Sequence, residues 1–286
     1  MKFSLSLFVA AVAALLGLSS AYAATIVSDS FEYADQAAFE AAWPAIGTVA
    51  PLSGELSTAQ ASSPTKSIRN PGTATSAQSR NRLTFAETGN IATSNKVIWS
   101  FDFYDSNGTN SPARNFSNLQ DTTAPSGTNQ LVAMGLNNNQ TGANSGGQFY
   151  MARILGYTVP TTADPDGGPA ESVGGAGAFF KLNDFGVGAR STGWHNLKAV
   201  LSTDDGLSTD YEFYVDGLLA EKVSNIGSAA SIRSYDNIAL GSGLSNASVE
   251  VFFDNMKLET VPEPAAIAMV WMLLGPVAGC GRRRMA

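Results

Sequence analysis

The sequence predicts an all-β domain, two antiparallel sheets packed face to face, between an N-terminal and a C-terminal processing segment. Two observations carry the fold class. Apolar and polar residues alternate with period two over long stretches, bounded by Gly, Asn, Ser and Pro clusters, which is the signature of strands with one buried face. Apart from one short helix, no helical stretch separates these runs, and neither a 20–50-residue repeat nor a heptad is present. A third observation concerns the surface: charged residues are 14% of the chain, against roughly 25% in an average globular protein. Ser, Thr, Asn, Gln and Gly must therefore supply the polar surface, as suits a secreted β protein. Residues 24–264 suffice for one large all-β domain.

From the N-terminus, strands are expected at 26–31, 65–69 and 80–86. A short helix falls between the first two. Asp35 can cap it, Phe39 and Trp43 share a face at i, i+4, and Pro44 ends it. Val97, Trp99, Phe101 and Phe103 line one face of the next strand, opposite Ser100 and Asp102. Further strands are expected at 129–136, along Phe149, Met151 and Leu155, and at 177–182. His195, Leu197, Ala199 and Leu201 alternate with Asn196 and Lys198; Tyr211, Phe213 and Val215 alternate with Glu212 and Asp216. Asp216-Gly217 then forms a type I′ turn into 218–223, because both residues tolerate positive φ. A strand at 234–241 and a last one through Val249, Val251 and Phe253 complete a two-sheet sandwich. Segments 137–147 and 158–177 read as surface loops, where sandwich binding sites commonly sit.

Charge and two scarce residue types exclude several functions. Residues 24–264 carry 13 basic and 24 acidic side chains, a balance of −11. Such a body repels phosphates, and without a basic patch it argues against a nucleic-acid partner. The single cysteine is Cys280, in the tail, so the body has no disulfide, thiolate zinc site or Cys nucleophile. The single histidine, His195, excludes a His-pair metal site. A Ser-His-Asp triad needs an activated serine; with no Gly-x-Ser-x-Gly elbow, His195 reads as strand packing beside Trp194.

Residues 1–23 read as a secretory signal: Lys2, an apolar stretch from Leu5 to Leu18, and the small residues Ala21 and Ala23 at a cleavage site. The other end reads Val261-Pro262-Glu263-Pro264, an apolar run from Ala265 to Gly279, then Arg282-Arg283-Arg284. The run falls short of the roughly 20 residues that span a bilayer, and the arginines would stay on the cytoplasmic side. The Pro-Glu-Pro triplet, the short hydrophobic helix and the Arg cluster together resemble a PEP-CTERM sorting signal over 261–286. The resemblance implies a Gram-negative bacterial chain anchored transiently in the inner membrane by that helix. An exosortase would recognise it, and cleavage near the motif would send it to the cell surface or extracellular matrix, in bacteria that also make extracellular polysaccharide.

The body carries a second resemblance. Asp29-Ser30-Phe31-Glu32, Gly193-Trp194-His195-Asn196-Leu197, Tyr211 to Gly217 and Phe253-Asp254-Asn255-Met256 are similar to the concanavalin A-like/laminin-G-like jelly roll, most clearly over 193–258. It implies a jelly-roll domain over 24–260 whose last strand pairs with its first. It also implies, loosely, a calcium ion between those strands, with Asp29, Glu32 and Asp254 as hard oxygen donors; a solvated or helix-adjacent role suits Glu32 equally. Asp105-Ser106-Asn107-Gly108 and Asp164-Pro165-Asp166-Gly167 lack the Glu that closes an EF-hand and read as Asp/Gly turns.

Bacterial glucanases of this jelly roll carry Glu-x-Asp-x-x-Glu on one strand, because retaining hydrolysis needs its carboxyls about 5–5.5 Å apart. No Glu here is followed by Asp two residues on. Glu250 and Asp254, about 13 Å apart along a strand, read as solvated outer-face charges. Trp194, Tyr150 and Tyr157 are the candidate sugar-stacking aromatics, while Trp99 reads as core. The sequence thus predicts an exported, non-catalytic, lectin-like sandwich that contacts extracellular polysaccharide or another surface component. The alternatives are a glycan-active hydrolase or lyase on the same fold and a purely structural surface protein.

Overall fold

The computed structural model describes residues 23–47, 50–72, 80–108, 114–123, 130–137, 148–155, 178–225, 232–241 and 248–263. Among them, the strands are β1 (Ala24–Asp29), β2 (Glu55–Ser57), β3 (Ser67–Asn70), β4 (Asn81–Thr84), β5 (Asn95–Asp105), β6 (Arg114–Asp121) and β7 (Gln130–Asn137). The second half adds β8 (Met151–Leu155), β9 (Ala178–Lys181), β10 (Gly193–Ser202), β11 (Thr209–Val215), β12 (Leu218–Asn225), β13 (Asn237–Leu240) and β14 (Val251–Pro262). They form two antiparallel sheets. The eight-stranded sheet runs β12-β11-β10-β5-β14-β3-β2, with β1 also on β14; the six-stranded sheet runs β4-β13-β6-β7-β8-β9. This is the two-sheet sandwich that the period-two patterning predicts, with the jelly-roll arrangement that the resemblance implies.

The core lies between the inner faces. On β5, Val97, Trp99, Phe101 and Phe103 are buried while the residues between them are half-buried. Phe253 of β14 packs on Phe101 and Phe103 at ring distances of 6.0 and 5.4 Å. Leu119, Val132, Met134, Ile154 and Ile238 of the six-stranded sheet belong to the same cluster. Each large apolar side chain buried this way stabilises the fold by about 1.5–3 kcal/mol. The predicted helix is α1 (Gln36–Ala42). The Asp35 carboxylate accepts from the Ala38 N–H at 2.8 Å, and Phe39 and Trp43 are fully buried against Phe31. Asp216 and Gly217 turn the β11–β12 hairpin with φ of 51° and 80°.

β14 holds the larger sheet together. It pairs with β5 along one edge. On the other edge it pairs first with β3 through Val251–Phe253, then with β1 from Met256 to Thr260. A bulge between Asp254 and Lys257, with Asn255 at φ 47°, switches partners. Last and first strands therefore pair, as expected. Asp254 itself keeps its place opposite Asp102 on the outer face, but it is not the solvated charge expected there: the Ser62 and Ser63 backbone donates to it and its side chain is fully buried.

β14 continues beyond residue 260, the expected domain end. Pro262 pairs with Asn95, the Glu263 N–H donates to the Ser94 carbonyl at 2.9 Å, and the Glu263 carboxylate lies 3.5 Å from Lys96 Nζ. The first two residues of the Pro-Glu-Pro triplet are thus docked on the sheet. Pro264, Arg282, Arg283, Arg284 and the apolar run lie outside the described residues, as do Ala21 and the rest of the predicted signal up to residue 22. Ala23 is exposed at the start of β1. Among the described residues no helix is long and apolar enough to cross a membrane.

Two strands were not expected, β2 and β6. β6 reads Arg-Asn-Phe-Ser-Asn-Leu-Gln-Asp, and all eight residues are buried. Its polar residues occupy both faces, so no alternation marks it.

Candidate functional site

The outer face of the six-stranded sheet concentrates polar groups where a strand normally shows scattered surface residues. Register places Arg82 opposite Ala239, Ala239 opposite Asn118, Asn118 opposite Ala133, Ala133 opposite Arg153, and Arg153 opposite Phe179. One row therefore crosses the sheet as Arg, Ala, Asn, Ala, Arg, Phe. Strands lie roughly 4.8 Å apart, so the two arginines sit about 19 Å apart with the small alanines lowering the floor between them. Arg153 lies over the Phe179 ring, 4.8 Å from its centroid.

Neighbouring rows add Gln120 and Asn237 on one side and Arg114 and Lys181 on the other. The strand residues on this face include no carboxylate. Burial lowers the Arg114 guanidinium to about 10, and the Arg153 charge adds to that effect. The side-chain oxygens of Asn118, Gln120 and Asn237 are buried with no hydrogen-bond partner. An orphaned buried acceptor costs about 1–3 kcal/mol, so these three amides lower stability where they stand. The four cations come from distant parts of the sequence and are brought to one face by strand register.

The floor depends on one glycine. Gly135 has φ 149°, and a Cβ there would stand 2.4 Å from the Asn115 carbonyl oxygen and 2.7 Å from Phe116 Cα. Only Gly lets β6 and β7 approach this closely.

The predicted site residues fall elsewhere. Asp29, Glu32 and Asp254 do not converge. Asp29 accepts from the Phe31 N–H at 2.7 Å, from Trp43 Nε1 at 2.8 Å and from the Tyr33 hydroxyl. Glu32 accepts from the N–H groups of Thr65 and Lys66 at 2.9 and 2.7 Å and from the Thr65 hydroxyl at 2.7 Å, which hold its carboxyl below the usual range. Asp254 accepts from the N–H groups of Ser62, Ser63 and Asn255 at 2.9, 3.1 and 2.7 Å. Burial, with Asp102 as a like-charged neighbour, nevertheless pushes its carboxyl up to about 6. Among the described residues no group of three or more metal-ligating side chains assembles.

Tyr150 is 3% exposed and packs edge-on against Phe103, so it cannot serve as a stacking platform. Its ring was read as surface because it adjoins a long loop, but it points into the core. Trp194 is half-buried, edge-to-face with Tyr104 at 5.4 Å on the outer side of the larger sheet. Tyr157 lies outside the described residues. The Asp105–Gly108 segment is an Asp turn: the Asp105 carboxylate accepts from the Asn107 and Gly108 N–H groups at 2.8 and 2.9 Å. Asp164–Gly167 lies outside the described residues.

His195 has more company than strand packing requires. Its Nδ1 is 2.7 Å from Asp216 Oδ2, and its Nε2 is 3.1 Å from Ser191 Oγ. The β10–β11 hairpin returns Asp216 beside residues 195 and 196, a proximity that hairpin register carries and a motif search does not.

No protein-family model and no curated protein matches the sequence. Solved structures do match in shape. A conserved carbohydrate esterase of the Shiga toxin-encoding bacteriophage phi24B aligns with a TM-score of 0.51 at 14% identity, over 83% of this chain and 98% of that one. The alginate lyase Aly36B aligns with a TM-score of 0.51 at 12% identity, over 82% and 96%. At such identities the likeness is one of fold, and it places the chain in the jelly-roll class.

Proposed function

We propose that this chain is an exported surface protein that binds an acidic polysaccharide along the outer face of the six-stranded sheet, without cleaving it there. The observation that carries this reading is the Arg82–Asn118–Arg153 row on a face whose strands contribute no carboxylate. Guanidinium groups bind carboxylates bidentately, and Arg82 and Arg153, at the two ends of the row, are only half-buried. Two proteins with the same fold, a carbohydrate esterase and an alginate lyase, are directed at carbohydrates, which supports the ligand class.

The test is binding of purified full-length protein to uronate-rich and neutral polysaccharides, with reducing ends assayed for release. Preferential binding of the acidic glycan, lost in Arg82→Gln/Arg153→Gln, is expected. Equal binding by the double variant would overturn the site. Chelator sensitivity would bring calcium back into the account. Export and exosortase processing belong to the same proposal and rest on the two terminal signals. Replacing Pro262-Glu263-Pro264 by alanines should leave the protein in the inner-membrane fraction, and normal release would refute the sorting reading.

A further inference from the structure

We propose that Ser191, His195 and Asp216 form a nucleophilic centre that hydrolyses exposed carboxylic esters of the O-acyl type. It lies apart from the polysaccharide face, at the entry to β10 and beside the β11–β12 turn. Its geometry is a relay. The Asp216 carboxylate can only accept, so His195 Nδ1 carries a proton and donates it across 2.7 Å. That leaves Nε2 bare, 3.1 Å from Ser191 Oγ, as the acceptor for the serine hydroxyl. The Ser191 carbonyl oxygen also lies 3.1 Å from Nε2 and becomes a favourable partner once Nε2 is protonated. The arrangement therefore stabilises the imidazolium that forms when the serine gives up its proton.

The three residues are held from behind. Asp216 Oδ1 accepts from the Asn196 N–H at 2.8 Å, and the Asp216 N–H donates to the Asn196 carbonyl at 2.9 Å. The His195 ring packs on Tyr150 at 5.4 Å. Beneath both, fully buried Asp105 is 3.0 Å from Arg190 Nη1 and 3.4 Å from the Tyr150 hydroxyl. Arg190 immediately precedes Ser191 and is anchored again by its N–H to the Gln148 carbonyl at 2.7 Å. The Asp105 turn also packs on Thr192, where a Cβ on Gly108 would stand 3.1 Å from Thr192 Oγ1. A buried ion pair thus fixes the segment that carries the nucleophile, while the relay stays accessible: Ser191 is exposed, and the His195 and Asp216 side chains are 14% and 49% exposed. Gly193, with nothing within 4 Å of where a Cβ would stand, leaves the approach open.

The reaction balances without a cofactor. Ser191 Oγ attacks the acyl carbon while Nε2 takes its proton. The bond to the alcohol oxygen breaks as Nε2 returns that proton to the leaving alkoxide, leaving an acyl-serine. Water, deprotonated by Nε2, then attacks the acyl carbon and releases the carboxylic acid and free Ser191. Ser191 and His195 are catalytic residues; Asp216 is a positioning residue.

The experiment uses purified full-length protein with p-nitrophenyl acetate and with a fluorophosphonate probe mapped by peptide mass spectrometry. Both probes are small esters or their analogues, so failure of polysaccharide binding leaves the outcome unaffected. Expected are turnover above the buffer rate and labelling at Ser191, both lost in Ser191→Ala with an unchanged melting temperature. Asp216→Asn keeps the turn, because Asn tolerates positive φ, and should lower kcat about 10³–10⁴-fold with KM held. Labelling elsewhere or not at all, or Asp216→Asn changing only the melting temperature, would overturn the proposal and leave a structural clasp.

Discussion

On the outer face of the eight-stranded sheet, Arg69 lies between Glu55 and Glu250, Lys222 beside Glu212 and Lys257 beside Glu259. On the six-stranded sheet, Arg82, Arg114, Arg153 and Lys181 share a face to which the strands bring no carboxylate. The first arrangement is what solubility asks of a surface: exposed, mutually neutralised charges, each pair worth about 0–1 kcal/mol. The second costs stability, since Arg114 is pushed down by burial and by Arg153. Local arrangements that oppose stability concentrate where a site is built, and the contrast between the faces is why the proposed site is placed on the second.

The largest expected effect tests the floor of the second face. Gly135→Ala should lower stability by roughly 3 kcal/mol or more, because its Cβ meets backbone rather than a movable side chain. Urea unfolding with an unchanged midpoint would mean that β6 and β7 do not approach so closely.

Next comes the buried acid of the larger sheet. The Asp254 carboxyl lies near 6 in the folded protein against an ordinary 3.8. The folded state therefore holds this proton more tightly than the unfolded chain. From this group, stability is greatest below about pH 4 and falls as pH rises to about 6, by on the order of 2–3 kcal/mol. Asp254→Asn should remove that slope, and identical pH–stability curves for variant and wild type would contradict it.

Arg153→Gln tests whether this guanidinium serves binding. Affinity for an acidic glycan should drop about tenfold, near 1.4 kcal/mol, while the melting temperature holds or rises because a repulsion is relieved. A fall in melting temperature with unchanged affinity would reverse the interpretation. The smallest effect belongs to the neutralised face: Arg69→Ala should cost less than about 1 kcal/mol and leave glycan binding as it was.

The fold was legible wherever one face of a strand met the core. Trp99, Phe101, Phe103, Tyr211, Phe213 and Val251 announce their strands by alternation, and all are buried. The candidate site was illegible for the same reason. β6 carries Asn118 and Gln120 on its outer face and Asn115 and Ser117 on its inner one, so the period-two signal vanishes in the strand that crosses the middle of the site. An uncharged polar stretch holding Phe116 and Leu119 was the remaining clue. Asp254 was misjudged because spacing along one strand does not show that the distant Ser62–Ser63 backbone folds over it. Asp216 was missed because sequence separation hides what hairpin register brings beside His195.

β14 occupies the middle of the larger sheet, joined to β5, β3 and β1, and follows every other described strand. A ribosome therefore delivers the keystone last. Until residue 262 emerges, β1 and β3 lack their shared neighbour and Phe101 and Phe103 lack Phe253. Contacts of such long sequence separation also form slowly. A chain cut short before β14 has no route to the native sheet and leaves its aromatics open to proteases, so the topology itself discards incomplete molecules.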